Sequence, residues 1–435
     1  MKNGIDRRKL IVVLPALLAS SPAFTATRKR GGEALSRCLG QPATLTHPAE
    51  AAGTSKLPPR PIFSNEDQQS AIIPGFPRVR FWANSEEDYA RAVPNQLGPW
   101  LALSTGAEDG AYGAGFLNGW TASGQRPEFS VVTGASSGAI IAVYAFAGPK
   151  YDAVLRKAYT SVRAADIFEV RATPESIVDS WPLERLVQQH VTTELLADIA
   201  AQHRQGRRLF VVTTNLDAGR AMVWDMGAIA AQGDDPALVL FRKVVLASSS
   251  IPAVFPPVLI EAEANGHRFH EMHVDGGVNG PIYVAPERYL LSSGDRRLPA
   301  SELYIIVNGK LTNEFAQTDQ TMAGILGRSF SVALKLGARA ELFLLAQAAQ
   351  RNGIDFKMTL VESDFDQPER GVFDPQYMQA LFDRGVAKGL HADFQQKDFM
   401  TCSLEPNASR CSESALTIER RLNKPAQRRL QCLAL

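Results

Sequence analysis

Short apolar runs alternate along the chain with longer stretches in which apolar and polar residues mix. The runs are rich in β-branched and aromatic residues and end near Gly, Pro, Asn or Asp, a pattern typical of buried strands. They occupy residues 101–104, 129–133, 208–214, 258–262, 268–274, 303–307 and 356–361. Because the segments between most of them are long enough for helices, the pattern predicts a layered α/β fold.

Turn chemistry marks several boundaries between these elements. Asn265-Gly266 separates two of the apolar runs and favours a hairpin between them. The pairs Asp235-Pro236 and Asp374-Pro375 each set a carboxylate beside a proline, which is typical of the start of a helix. The apolar stretch 139–147 predicts a buried helix directly after the second strand.

The junction between that strand and that helix carries the clearest chemical signal. Residues 134–138 form a G-x-S-x-G turn, which lifts the hydroxyl of Ser136 off the backbone beside free N–H groups at the start of a helix. Gly134 and Gly138 suit a tight corner that leaves no room for side chains. The five residues alone are also an ordinary loop sequence, but the strand and helix around them favour Ser136 as a nucleophile that attacks esters.

A second glycine-rich turn follows the first predicted strand. Residues 105–115 bring backbone N–H groups together where an anion can sit. One interpretation is a dinucleotide site around Gly113, Gly115 and Gly119, although their spacing departs from the glycine fingerprint and no acidic residue ends the next strand. The other interpretation is an oxyanion hole whose backbone donors serve the serine nucleophile.

A third turn carries an acidic residue. Asp275 follows the strand 268–274 and is itself followed by Gly276 and Gly277. Asp-Gly is a common turn in which the side chain caps its own backbone, and this is the simpler interpretation. In the functional interpretation, the two glycines let the backbone turn tightly, so that the carboxylate of Asp275 approaches another loop.

Composition narrows the function classes without choosing one. The 435 residues are 45% hydrophobic and 21% charged, with a formal net charge of +1. Such a chain can bury a full apolar core, and its length is compatible with ~2–3 domains. The near-neutral balance gives no argument for nucleic-acid binding, and no protein partner can be inferred from it.

The N-terminus is typical of a targeting segment. Basic residues, among them Arg7 and Arg8, precede the apolar stretch 10–19, so residues 1–26 are interpreted as a twin-arginine-like or Sec export signal. The predicted location is therefore periplasmic or secreted, with an uncleaved membrane anchor or a plain tail as the alternatives. Residues 27–96 are rich in Pro and polar residues and predict an extended linker or surface wrap.

The catalytic domain is expected at residues 97–395, with a polar, cysteine-containing tail at 396–435. Residues 310–395 are expected to complete the domain and to shape an acyl-chain pocket. Four cysteines lie outside the predicted core: Cys38, Cys402, Cys411 and Cys432. In an oxidising compartment they could form disulfides, but their pairing cannot be deduced, and their spacing fits no zinc site.

Four blocks, in this order, resemble the patatin-like phospholipases. Residues 103–112 look like the family's glycine-rich oxyanion loop, 134–138 like its nucleophile elbow, 247–257 like a stretch between its catalytic residues, and 275–277 like its catalytic Asp motif. The resemblance spans residues 101–308 and implies a three-layer α/β hydrolase fold with a mostly parallel central sheet. It also implies a Ser–Asp dyad that hydrolyses lipid acyl esters without histidine, metal or cofactor.

The resemblance also assigns roles to single residues. Ser136 is the implied nucleophile, Asp275 is the implied base, and Gly106 and Ala107 are the candidate oxyanion donors through their backbone N–H groups. The glycines that support these motifs are Gly110, Gly134, Gly138, Gly276 and Gly277. The implied activity is that of a serine lipid acyl hydrolase of the phospholipase A, lysophospholipase or esterase type, acting on a lipid or phospholipid that it could meet at a membrane surface.

The chain departs from the family pattern in the oxyanion loop. Thr105 and Ala107 stand where the family has glycines, and Asp109 stands where it usually has Arg or Lys. A negative charge near a developing oxyanion is unfavourable unless it is paired or turned away. The sequence of this loop is therefore also compatible with a weakened hydrolase activity. The alternative function is that of an exported lipid-binding protein.

Histidines suggest two further alternatives. A conventional α/β-hydrolase triad would combine Ser136 and Asp275 with His391, the only histidine that follows Asp275. A metal site could be sought at His267, His270 and His273, but on a strand His270 points away from the other two. These three are expected to be exposed hairpin residues, so no metal site is predicted.

Overall fold

The computed structural model describes residues 57–395, apart from 95, 172, 174 and 293–296. The predicted export signal, the four cysteines and the tail 396–435 all lie outside the described residues. Within the described part, no helix combines the length and the apolar character that crossing a bilayer requires.

A single sheet organises the described part of the chain. Its strands are β1 (Arg80–Trp82), β2 (Gly98–Leu103), β3 (Val131–Ala135), β4 (Arg208–Asn215), β5 (Arg220–Asp225), β6 (Val258–Ala264), β7 (His267–Asp275), β8 (Ala300–Val307) and β9 (Asp355–Leu360). The main order is β1-β5-β4-β3-β2-β8-β9, and the β6–β7 hairpin pairs with β4 through β7. Strands β4, β3, β2, β8 and β9 run parallel, and the others pair antiparallel. The predicted α/β fold with a mostly parallel central sheet is confirmed.

Helices connect and cover these strands. They are α1 (Asn65–Ser70), α2 (Glu86–Ala92), α3 (Gly110–Ala122), α4 (Ser137–Ala147), α5 (Asp152–Thr160), α6 (Ala164–Ile167), α7 (Trp181–His190), α8 (Thr193–Arg204), α9 (Met226–Ala230), α10 (Asp235–Ser248), α11 (Glu287–Leu291), α12 (Met322–Asn352) and α13 (Pro375–Leu390). The predicted cap of α13 is the one observed, Asp374, whereas α10 is capped by Asp234, one residue before the predicted Asp235.

Helices cover both faces of the sheet. Because successive side chains of a strand point in opposite directions, each strand contributes residues to two apolar cores. In β2, Leu101 and Leu103 belong to the larger apolar core, which includes residues of α3, α4, α7, α8, α10 and α13. Trp100 and Ala102 belong to the smaller core, which includes residues of α2 and α12. The result is a three-layer arrangement with helices on either side of the sheet.

The predicted linker or surface wrap over residues 27–96 is wrong for the part that the structure describes. Residues 65–92 contain α1, β1 and α2, and β1 pairs with β5 at the edge of the sheet. Phe76, Val79 and Tyr89 are buried in the cores. Prolines and polar residues separate these apolar side chains, so that no continuous run indicates a folded segment.

Candidate active site

Ser136 occupies a sharp corner between β3 and α4. Its backbone has φ 56° and ψ −128°, a positive-φ conformation that costs free energy for any residue with a side chain. The fold holds this corner by close packing, because a Cβ on Gly134 would overlap the carbonyl of Gly138 and a Cβ on Gly138 would overlap the carbonyl of Leu103. Both glycines predicted to support the turn are therefore required by backbone contact.

Asp275 lies at the end of β7 and is 2% exposed. One carboxylate oxygen, Oδ1, accepts a hydrogen bond from the N–H of Gly277 at 2.8 Å. A Cβ on Gly276 would overlap the carbonyl of Val212, and a Cβ on Gly277 would crowd Thr105. The two glycines thus allow the turn after Asp275 to pack against the neighbouring loops, as the functional interpretation of the sequence expects.

Strand register brings Ser136 and Asp275 together. Ala135 of β3 lies opposite Val212 of β4, and the next residue of β4, Thr213, lies opposite Asp275 of β7. Both side chains line one cavity of about 140 Å³. The cavity also reaches the inner face of the first half of α12, and it is called the α12 cavity below.

The end of α10 and the residues that follow it hold Ser136 and Asp275 in place and were not assigned a role from the sequence. The backbone N–H of Ser136 donates to the hydroxyl of Ser248 at 3.0 Å, and that hydroxyl donates to the carbonyl of Val212 at 2.7 Å. The backbone N–H of Asp275 donates to the carbonyl of Ser250 at 2.9 Å. The signal was present in the family-like block 247–257, whose serines connect the two candidate residues.

Burial controls the proton affinity of Asp275. Burial raises the pKa of Asp275 to about 7, against the lowering effect of the Ser136 hydroxyl and the Gly277 N–H. The second carboxylate oxygen, Oδ2, has no hydrogen-bond partner among the described residues. It is therefore free to accept a proton from a neighbouring group.

The candidate oxyanion loop presents two free backbone donors. The N–H of Thr105 bonds the carbonyl of Pro281 at 3.0 Å, and the N–H of Asp109 bonds the carbonyl of Gly106 at 2.9 Å. No hydrogen bond within the described ranges uses the N–H of Gly106 or Ala107. Ala107 has φ 48°, and both residues line the α12 cavity with Ser136. The loop can thus direct two donors at an oxygen bound beside the serine.

Asn308, which sequence reasoning missed, fixes this loop from β8. Its side-chain amide donates to the carbonyl of Ser104 at 2.8 Å, and its backbone N–H donates to the Ser104 hydroxyl at 2.8 Å. A Cβ on Gly106 would overlap the carbonyl of Asn308, and one on Gly113 would overlap its side chain. Because the contact joins residues 204 positions apart, no local pattern predicts it.

The glycines that suggested a dinucleotide site have a packing role instead. A Cβ on Gly115 would overlap the carbonyl of Phe382, and one on Gly119 would overlap the carbonyl of Val386. Both contacts lie between α3 and α13, whose backbones approach closely where glycines face the partner helix. Gly110, predicted to support the oxyanion motif, likewise leaves room for the ring of Tyr159.

The unusual Asp109 is half-buried and hydrogen-bonded. Its Oδ1 accepts a hydrogen bond from the hydroxyl of Tyr377 on α13 at 2.6 Å. Burial raises the pKa of Asp109 to about 7, and burial together with the neighbouring Glu108 raises the pKa of Glu369 to about 11. Burial raises the pKa of Glu108 as well. These upward shifts favour the protonated forms of the carboxyls, which limits the negative charge beside the loop.

Replacing Asp109 with asparagine is expected to preserve the loop and to change the pH dependence of stability. Asparagine keeps an oxygen that accepts the Tyr377 hydrogen bond. Because the pKa of Asp109 is raised from 3.8 to about 7, its contribution to stability is complete below about pH 4 and is lost as the pH rises through about 7. Chemical denaturation should show that the free energy of unfolding of Asp109→Asn increases relative to that of the wild type between these pH values. A wild-type-like pH dependence in the variant would contradict this assignment.

An apolar cavity opens on the other side of Ser136. It has a volume of about 120 Å³ and shares Ala107, Ser136 and Ile251 with the α12 cavity. Its walls are mostly aliphatic and aromatic side chains of α4, α7 and α10, among them Ile140, Val143, Leu183, Val187 and Val245. Of the residues 310–395, which are expected to shape an acyl pocket, Phe373 and Met378 line this cavity. Others line the α12 cavity, among them Lys310, Leu311, Phe330, Leu334 and Ala338.

The histidines do not form the predicted alternatives. His391 is exposed at the end of α13 and lines neither cavity. His273, expected to be exposed, is fully buried between Glu271 and Thr213, and burial lowers its pKa. In the part of the chain that the structure describes, no group of three or more His, Cys, Asp or Glu residues is arranged to hold a metal ion. His190, which the sequence did not single out, lines the apolar cavity, and burial lowers its pKa.

One comparison with known proteins agrees with the family that the four motifs resemble. Residues 101–286 match the family model described as Patatin-like phospholipase. Among solved structures, the chain is similar to VipD from Legionella pneumophila, with 11% sequence identity and a TM-score of 0.36, covering 70% of this chain and 68% of that one. No curated protein matches the chain in sequence. The predicted resemblance is thereby confirmed over residues 101–286.

Proposed function

We propose that residues 101–286, a patatin-like phospholipase domain, make this chain a serine-dependent hydrolase of lipid acyl esters. One observation carries the proposal. Ser136, the carboxyl of Asp275 and two free backbone N–H groups line a single cavity, and Ser136 also borders an apolar cavity. The family supports lipid acyl hydrolysis in general, and the Ser–Asp mechanism described next is our proposal.

Acylation begins when the Ser136 oxygen attacks the carbonyl carbon of the ester and its proton moves to Oδ2 of Asp275. The carbonyl oxygen becomes negatively charged and accepts hydrogen bonds from the N–H groups of Gly106 and Ala107. When the tetrahedral intermediate collapses, the bond to the alcohol breaks and the alcohol takes the proton from Asp275. Water then releases the fatty acid from Ser136, with Asp275 accepting the water proton and returning a proton to the serine.

The two cavities suit the two halves of the substrate. The apolar cavity has the lining expected for an acyl chain, because its walls are almost entirely hydrocarbon. The α12 cavity includes Lys310 and Lys335 as well as apolar side chains, so it suits the alcohol half with its head group. This division favours a glycerolipid or phospholipid over a small soluble ester as the substrate.

The pH dependence of hydrolysis should report the ionisation of Asp275. Only the ionised carboxylate can accept the serine proton, so kcat/KM is expected to rise with pH and to level off above about pH 7. A soluble p-nitrophenyl ester, with the rate of Ser136→Ala subtracted, gives this profile directly. An activity that is already maximal near pH 5, as an ordinary exposed carboxylate with a pKa of about 4 would give, would contradict the role of Asp275.

Product analysis tests the function itself. The wild-type protein and Ser136→Ala are incubated with a mixture of glycerophospholipids, and the products are identified by mass spectrometry. Free fatty acids together with lysophospholipids, formed only by the wild type, are the expected result. Retention of intact lipid by the wild type, without any hydrolysis, would instead support the lipid-binding alternative that the departures at Ala107 and Asp109 leave open.

Export remains part of the proposal. Residues 1–26 carry the twin-arginine-like pattern, and periplasmic or secreted location would give the enzyme access to lipids of the cell envelope or of other cells. Fractionation of cells that produce the full chain, followed by N-terminal sequencing of the mature protein, tests it. A protein that stays in the cytoplasm with its N-terminus intact would contradict export.

A further inference from the structure

The long helix α12 is anchored in the core by only its second half. Leu342, Leu345, Ala346 and Ala349 are buried in the smaller apolar core. In the first half, the described residues up to position 337 are intermediate or exposed, except for two glycines. The first half of α12 therefore stands against the domain as an outer wall and not as part of its packed centre.

The outer face of this helix is apolar. Ile325, Leu326, Val332, Leu336 and Phe343 are each between 52% and 63% exposed. Positions 325, 332, 336 and 343 fall on one line along a helix, and Leu326 lies about a quarter of a turn around from them. This group is called the α12 stripe. A surface helix normally turns polar residues to water, so four exposed apolar residues aligned on one face indicate an interaction surface.

The inner face of the same segment lines the candidate active site. Phe330, Leu334 and Ala338 line the α12 cavity together with Ser136 and Asp275. On a helix, these three positions lie roughly opposite the stripe. The first half of α12 thus separates the reacting groups from any molecule bound to the stripe. A molecule bound to the stripe lies one helix away from the α12 cavity.

Positive charge flanks the stripe. The guanidinium of Arg328 bonds the carbonyl of Glu314 at 2.7 Å, and that of Arg339 bonds the carbonyl of Leu311. Within the described residues neither guanidinium forms an ion pair with a carboxylate, so both keep a net charge beside the apolar side chains. Apolar residues flanked by cations are the pattern by which a helix lying in the interface recognises lipids with anionic head groups.

We propose that the α12 stripe docks on a lipid surface that carries anionic head groups and sets the α12 cavity beside its substrate. The inference rests on the proposed lipid hydrolase function and names the surface at which that function operates. A lipid surface is preferred over a second copy of the chain because the stripe adjoins the wall of the reacting cavity, where a protein partner would obstruct entry of a bilayer lipid.

Vesicle binding by full-length protein tests the proposal. The double variant Val332→Ser/Leu336→Ser removes two members of the stripe without touching a residue that lines either cavity. Val239→Ser is a matched control, because Val239 is 53% exposed on α10 and lies outside the stripe. Cosedimentation uses vesicles of phosphatidylcholine with and without phosphatidylglycerol.

The double variant is expected to bind vesicles at least about tenfold more weakly than the wild type and the control. Its hydrolysis of vesicle lipid should fall in parallel, while its hydrolysis of a soluble p-nitrophenyl ester stays within about twofold. Wild-type binding should increase when phosphatidylglycerol is present. This combination separates docking from catalysis, because a disrupted active site would lower both activities together.

Two results would overturn the proposal. The first is unchanged vesicle binding in the double variant, and a lowered melting temperature beside it would mean that the chain itself covers the stripe. The second is a wild-type dimer in sedimentation velocity that the double variant converts to monomer, which would make the stripe an interface between copies. Binding is also measured with Ser136→Ala, so failure of the hydrolase function and failure of docking are distinguished.

Discussion

Replacing Ser136 with alanine is expected to lower kcat for ester hydrolysis by about 10⁴-fold or more, because no other group can form the acyl-enzyme. Binding of substrate should change little, since the hydroxyl oxygen of Ser136 is only one of the many atoms that line the site. Steady-state kinetics with a p-nitrophenyl ester and with a phospholipid measure both effects. The melting temperature should stay the same or rise, because alanine at a strained corner loses no packing and no required hydrogen bond.

A neighbouring serine provides the matched control. Ser137 begins α4, and its buried hydroxyl has no hydrogen-bond partner within the described residues. Ser137→Ala should therefore keep activity within about threefold of the wild type. Full activity in Ser136→Ala, or an equal loss in both variants, would show that the corner does not present the nucleophile.

Replacing Asp275 with asparagine is expected to lower kcat by about 10³-fold or more while leaving the fold intact. Asparagine keeps an oxygen for the Gly277 N–H, but it cannot accept the proton that Ser136 must lose. The wild-type rate is expected to increase as the pH rises through about 7, and the residual rate of the variant should not show this increase. Measuring pH–rate profiles for both proteins separates a missing base from a misfolded site.

Stability gives an independent readout for the same variant. The pKa of Asp275 is raised from 3.8 to about 7, so the folded wild type loses stability as the pH rises between these values. The shift corresponds to at most about 4 kcal/mol in the free energy of unfolding. Asp275→Asn should not show this loss. Its free energy of unfolding should therefore fall less than that of the wild type between pH 4 and pH 8. A variant that is inactive and also strongly destabilised at every pH would contradict a catalytic role.

A catalytic triad that includes His391 would predict a different result. If His391 completed a triad, its removal would cost as much activity as removal of Asp275. The exposed position of His391 at the end of α13 argues against that outcome. His190 is the histidine that borders the apolar cavity, so His190→Gln is the sharper comparison, and its activity should remain close to that of the wild type.

Local chemistry explains why the candidate site could be predicted from the sequence. Ser136, Asp275 and the loop at Gly106 each lie at the end of an apolar strand and beside glycines, so every motif carries its own turn signal. The carboxyl ends of the parallel strands β2 and β3 lie at one edge of the sheet, which brings the Gly106 loop beside Ser136. Asp275 joins them because the antiparallel strand β7 pairs with the last residues of β4. The resemblance to a known family added the roles that spacing alone could not assign.

Residues whose role depends on distant partners could not be predicted. Asn308 and Tyr377 act through contacts with Ser104 and Asp109 that are far apart in the sequence. The strands β1 and β5 were missed because the first is only three residues long and the second follows β4 after a short turn. The burial of His273 likewise depends on β4, since a strand that alternates locally can have both faces covered by the fold.

The Ser136 nucleophile is tested most directly by covalent trapping with a long-chain alkyl fluorophosphonate, a reagent that forms a stable adduct with an activated serine. Peptide mapping of the labelled wild-type protein by mass spectrometry is expected to find one adduct, on Ser136, with much slower labelling in Asp275→Asn and none in Ser136→Ala. An adduct on a different residue, or undiminished lipid hydrolysis by protein whose Ser136 is fully labelled, would contradict the proposed mechanism.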